Sequence, residues 1–86
     1  MEDKARTINV YAVKDELTGR FMQPIYFQGD KEAERWFATQ VNDIPLWKSN
    51  AGDFGIYALG TFNEGTGEFV SLVNKIATGA GVVERS

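Results

Sequence analysis

An 86-residue chain makes one domain with a thin core, because a fold of this size buries only about 60% of the surface that its unfolded form exposes. The absence of cysteine and histidine excludes disulfide reinforcement, thiol nucleophiles, most zinc sites and the usual general base, which leaves oligomerisation, a homodimer first, as the common way to bury more surface. Nine Lys plus Arg against twelve Asp plus Glu give a net charge of −3, which weighs against a basic nucleic-acid footprint without vetoing a small local one.

In chain order, MEDKARTINV contains no apolar run of the length that a signal peptide or membrane span needs. The expectation is a protein that stays in a cytoplasm and makes no membrane contact. Residues 7 to 14 (TINVYAVK) are rich in β-branched and aromatic residues and predict a strand with apolar groups on both faces. Ile8, Val10 and Ala12 share one face, and Tyr11 and Val13 the other. Asp15, Glu16, Thr18 and Gly19 predict a turn, with Gly19 free to take a positive φ. Ile25-Tyr26-Phe27, behind Pro24, reads as an edge strand or extended arm.

Asp30 has the chemistry of an N-cap, and Glu32 and Glu34 suit the positive end of a helix dipole. Ala33, Phe37, Val41 and Ile44 then form one stripe at helical spacing, flanked by Trp36, up to Pro45. A helix over residues 31 to 43 follows. Residues 46 to 53 (LWKSNAGD) have loop composition. FGIYALGTF is a second strong strand, with Phe54, Ile56, Ala58 and Phe62 on the face opposite Tyr57, Leu59 and Thr61, and Asn63 to Gly67 predicts a hairpin loop into a returning strand over 68 to 73. The segment from about residue 76, with Gly79 and Gly81, has no clear period and stands as a short strand, a partner-binding arm or a flexible tail, and residues 1 to 6 are expected as a flexible tail at the other end.

These elements describe one α+β domain: an amphipathic helix packed on a small antiparallel or mixed sheet of three to four strands. The phrases VYAVKDELTGRF and IYALGTFNEGTGEF repeat one pattern, which similar hairpin chemistry explains without a duplication.

The remaining chemistry is sparse. Asp15 with Glu16 and Glu64 with Glu68 are acidic pairs, but they sit in turns, where carboxylates are ordinarily solvated turn formers. GTGEF and GAGVV lack the spacing of phosphate-binding glycine loops. Neither a catalytic set, nor a metal site, nor a cofactor is expected. The aromatics say more. If the Ile8/Val10/Ala12 and Ile56/Ala58 sets pack on the helix, Tyr11 and Tyr57 project from the other face, where with Lys14, Arg20 or Lys48 they would suit base stacking on single strands. The same residues would equally close a dimer interface or a second core layer. Arg35, one turn from Lys31 on the helix's polar side, is a further phosphate candidate among solvated neighbours, and Lys75 is another.

The ordered motifs Y-A-V-K-D (11 to 15), Pro24 and Phe27, A-x-R-x-F (33 to 37) into V-N-D (41 to 43), D-F-x-x-Y-x-L-G-x-F (53 to 62) and T-G (66 to 67) resemble the small nonstructural protein of gokushovirus-type microviruses. The resemblance spans residues 8 to 69. It implies a phage protein of the host cytoplasm that binds single-stranded DNA during genome replication or packaging, with Tyr11, Lys14, Arg20, Arg35, Lys48, Tyr57 and Lys75 as the candidate contacts. The alternative is a module that contacts a phage replication or assembly factor or a host protein without touching DNA.

Overall fold

The computed structural model describes residues 6 to 84; the parts of the expected tails at 1 to 5 and 85 to 86 lie outside the described residues. The chain runs β1 (Thr7–Asp15), β2 (Arg20–Phe21), β3 (Ile25–Phe27), α1 (Asp30–Asp43), α2 (Pro45–Ser49), a 3-10 turn (Ala51–Asp53), β4 (Phe54–Asn63), β5 (Phe69–Thr78) and α3 (Gly79–Val82). All strand pairings are antiparallel, in the order β2-β1-β4-β5, with β3 pairing β1 beside β2. The α+β architecture stands as expected, with five strands in place of three to four.

The expected helix is α1, and Ala33, Phe37 and Val41 of its stripe are fully enclosed. Ile44 leaves the helix in extended backbone because it precedes Pro45. Asp30 does not cap α1: Gly29 holds the cap position, and the Asp30 carboxylate instead accepts a 2.7 Å hydrogen bond from the Tyr11 hydroxyl. The expected loop at 46 to 53 is mostly helical. Pro45 supplies a preset first residue for α2, and Trp47 stacks on Phe54 with ring centres 4.8 Å apart, which fixes the turn on the core.

The two phrases of the repeat fold into two copies of one loop. Asp15 Oδ1 accepts from the amides of Leu17 and Thr18, and Asn63 Oδ1 accepts from those of Gly65 and Thr66. Gly19 and Gly67 then donate to the carbonyls of Asp15 and Asn63 with φ of 77° and 82°, the left-handed backbone that glycine takes at least cost.

The assignment of sheet faces needs correction. Residues directly opposed on antiparallel strands share a face, and Tyr11 opposes Ala58 while Val13 opposes Ile56. Tyr11 and Val13 therefore join Ile56 and Phe54 under the helices, and Val10 and Ala12 lie on the far side with Tyr57. A strand apolar on both faces gives no period to choose between them. Leu59 adds a further twist: Val10 opposes Gly60, so Leu59 is an extra residue of β4 and the facing pattern of that strand switches across it.

The last segment is built into the body. β5 continues to Thr78, whose hydroxyl accepts from the Gly81 amide at the start of α3. Asn42 of α1 donates to the Val82 carbonyl at 3.1 Å and accepts from the Glu84 amide at 2.6 Å.

Tyr11 is 1% exposed. Burial first, and then its bond to Asp30, push its hydroxyl pKa above the ordinary tyrosine value of 10.0. A raised folded-state pKa gives stability that is complete below the unfolded value and lost as pH rises through the folded one. Tyr11→Phe should therefore cost about 1 kcal/mol at neutral pH and flatten the alkaline loss of stability, read from urea midpoints across the range from neutral to strongly alkaline pH.

Candidate functional site

All three helices pack on the side of Tyr11, Val13 and Ile56, as the positions of Phe37, Trp47 and Val82 against that cluster show. The other face of the sheet carries no helix among the described residues, yet Val10 and Ala12 on it are 5% and 1% exposed. Neighbouring aromatics cover them. Tyr26 and Tyr57 stand beside Val10 and Ala12 in the register, the Phe69 ring lies over Gly60, and Phe21 meets Tyr57 edge to face at 5.1 Å. This open face is an aromatic surface laid on a thin strand layer.

At one end of it a charged cluster forms. Lys14 of β1 opposes Phe21 of β2, and Tyr57 of β4 opposes Lys75 of β5, so the register brings all four to one face. The Lys14 ammonium sits 5.4 Å from the Phe21 ring centre and 5.7 Å from that of Tyr57, and Lys75 lies 5.6 Å from Tyr57 on its own side. Two cations thus flank one ring, an arrangement attractive to the ring's negative face.

Glu16 ties the group together. Its Oε2 accepts from the Tyr57 hydroxyl at 2.8 Å and pairs with Lys75 at 2.8 Å, while Oε1 lies 3.6 Å from Lys14. Hydrogen bonding to Lys75, and then to Tyr57, holds the Glu16 carboxyl below its usual range. The same bond raises Lys75, and burial followed by the bond to Glu16 raises Tyr57. Cations, edge-to-face rings and a single carboxylate make a surface able to bind and orient an anion that carries flat apolar groups.

Of the sequence candidates, Lys14, Tyr57 and Lys75 come together here. Tyr11 does not: it is sealed beneath α1 with its hydroxyl engaged by Asp30. Arg20 opposes Asp15, on the face away from Lys14. Arg35 lines a separate hollow with Thr39, Asn42, Asp43 and Glu84, and Lys48 is exposed on α2, on the helical side. Reading the acidic pairs as turn formers fits Asp15 and misses Glu16, which turns back onto the sheet; its even spacing with Lys14 at the strand end was the available signal. Phe21, Tyr26 and Phe69 were missed as members of the open face.

A family model described as Phage ORF5 protein matches residues 8–82, most of the chain. The chain belongs to that phage family. No curated protein and no solved structure matches it significantly. The match of this phage ORF5 family member runs past residue 69 through β5 and into α3, so the open face, Glu16 and Lys75 all lie within the family's extent.

Glu16→Gln removes the negative charge and leaves the shape. Tyr57 should then ionise at lower pH than in the native protein, as followed by ultraviolet difference absorbance, with the Tyr11 step unchanged. An unmoved Tyr57 step would mean that the carboxylate does not hold the ring.

Proposed function

We propose that this phage protein is a non-enzymatic binder of single-stranded DNA that works in the host cytoplasm during genome replication or packaging, with the open sheet face as its contact surface. The observation that carries the reading is the placement of Tyr57 and Phe21, with the ammonium groups of Lys14 and Lys75 beside them, on the one face free of helices. Single strands are held without sequence reading by rings that stack on bases and cations that track phosphates. Tyr57 and Phe21 supply the first, and Lys14 and Lys75 the second. Glu16 occupies the lysines in the free protein, so a phosphate that displaces it exchanges one anion for another and avoids stripping bare cations of their partner.

The resemblance to gokushovirus-type nonstructural proteins agrees with this role, as does membership of a phage family. A second reading, a module that contacts a phage replication or assembly factor or a host protein, is favoured by the net charge of −3. Recovery of partners from infected cells with and without nuclease separates the two.

Two lysine-phosphate contacts on a single strand predict a log-log salt slope of about −1.4, or roughly sevenfold weaker binding over a fourfold rise in salt. Fluorescence anisotropy with a labelled oligothymidylate measures it. Lys14→Ala and Lys75→Ala should each cut the slope by about 0.7, Phe21→Ala should cost on the order of 1 kcal/mol as a lost stacking platform, and Arg35→Ala and Lys48→Ala should leave binding unchanged. No binding at low salt and high protein concentration would sink the proposal.

A further inference from the structure

Among the described residues β5 pairs with β4 along one side only, which leaves its other edge open. Its first six residues, Phe69 to Asn74, carry no charge, and four are large apolar side chains exposed to solvent: Phe69 48%, Val70 65%, Leu72 72% and Val73 58%. Native sheets ordinarily protect such an edge with lysines, proline, a bulge or a covering element, because its free amides and carbonyls accept another strand. Between Phe69 and Asn74 the only such device is a bulge, where β5 carries one residue more than β4 across Leu72 and Val73, and it leaves the four apolar side chains uncovered. The molecule measures 50 × 24 × 16 Å with a radius of gyration of 14.0 Å, against about 12 Å for a compact chain of this length. Its long axis leaves more apolar strand uncovered than the short core can take up.

We infer that the open edge of β5 is a homodimer interface, in which β5 of two copies pair antiparallel about a two-fold axis at Ser71. The register decides for a second copy of this chain. Phe69, Ser71 and Lys75 lie on the open face and Val70 and Asn74 on the helical face, as their partners Phe62, Gly60, Tyr57, Thr61 and Ala58 fix; Val73 and Leu72, across which the register shifts, follow by alternation from their neighbours. A two-fold axis perpendicular to the sheet keeps each face continuous across the pair, which requires opposed residues of like parity. Centring it on Ser71 sets Phe69 of one copy opposite Val73 of the other, and Val70 opposite Leu72. All four exposed apolar side chains thereby gain apolar partners in one register, with no charge buried.

The resulting sheet continues through both molecules, with the helices of both on one side and both open faces on the other. Nothing in this pairing depends on the binding of DNA.

The test is the mass in solution by sedimentation equilibrium. The native chain should run as a discrete dimer, at twice the chain mass of 9.6 kDa. The double variant Val70→Lys with Leu72→Lys, which puts like charges opposite each other, should run as a monomer with unchanged far-ultraviolet circular dichroism. Mixing it with Val70→Glu plus Leu72→Glu should restore a dimer that contains one copy of each. Ser71→Cys should form an intermolecular disulfide under mild oxidation, because the axis sets residue 71 against its own counterpart within bridging distance, and Ser49→Cys on α2 should not. A native monomer, a dimer indifferent to the edge lysines, or a disperse aggregate in place of a dimer would each overturn the inference.

Discussion

Four consecutive residues of β1, Val10 to Val13, are shut from solvent on both faces of the sheet, and a chain with one long helix can cover only one of those faces with a helical layer. The rest of the structure follows from that mismatch. α1 and the short helices take the side of Tyr11 and Val13, whose larger side chains fill the space above the sheet. The side of Val10 and Ala12 is roofed by rings from the neighbouring strands, which lie low over small residues and a glycine. A surface of rings is an economical cover for a thin sheet and is also a set of platforms presented to solvent. The open face is in this sense a by-product of solving the core.

The extra residue at Leu59 lets one sheet serve both ends. Without it, the alternation that puts Ile56 and Ala58 under α1 would carry on along β4. With it, Gly60 and Phe62 turn to the open face, so that Phe62 opposes Phe69 there. Gly60 sits against the Val70 carbonyl and beneath the Phe69 ring so closely that a Cβ has no room, and any side chain there would pry β5 from β4. The bulge extends the ring surface along the projecting hairpin, where no helix reaches.

The sequence made the elements of this fold legible and left its faces open. Helix α1 was readable because the spacing of Ala33, Phe37 and Val41 and the stop at Pro45 are local properties. The loops at Gly19 and Gly67 were readable because an Asx residue followed four positions later by glycine specifies its own hydrogen bonds. α2 was missed because its polar composition resembles a loop and its stability comes from Trp47 on Phe54, a tertiary contact. The faces of β1 were misassigned because apolar residues on both sides erase the period, and a one-residue bulge in the partner strand cannot be seen from β1 itself. Tyr11 and Tyr57 look equivalent in the repeat, yet one is a core residue bonded to Asp30 and the other the centre of the charged cluster. The spacing of Glu16 with Lys14 pointed to a shared face, but its role depends on Tyr57 and Lys75, 41 residues and still further along the chain.

Net charge is a poor guide to what such a small surface could bind, because most of the acidic residues lie away from the open face of the sheet. Asp30, Glu32, Glu34 and Asp43 lie on or beside α1 with Lys31 and Arg35, Lys48 lies on α2, and Glu64 and Glu68 lie in the loop at the hairpin tip. On the open face the charges described above are two lysines and one carboxylate, and that carboxylate is already spent on them. At physiological ionic strength exposed charges are screened beyond about 8 Å. An approaching phosphate therefore senses the lysines next to it far more than the acids of a helix on the other side of the sheet.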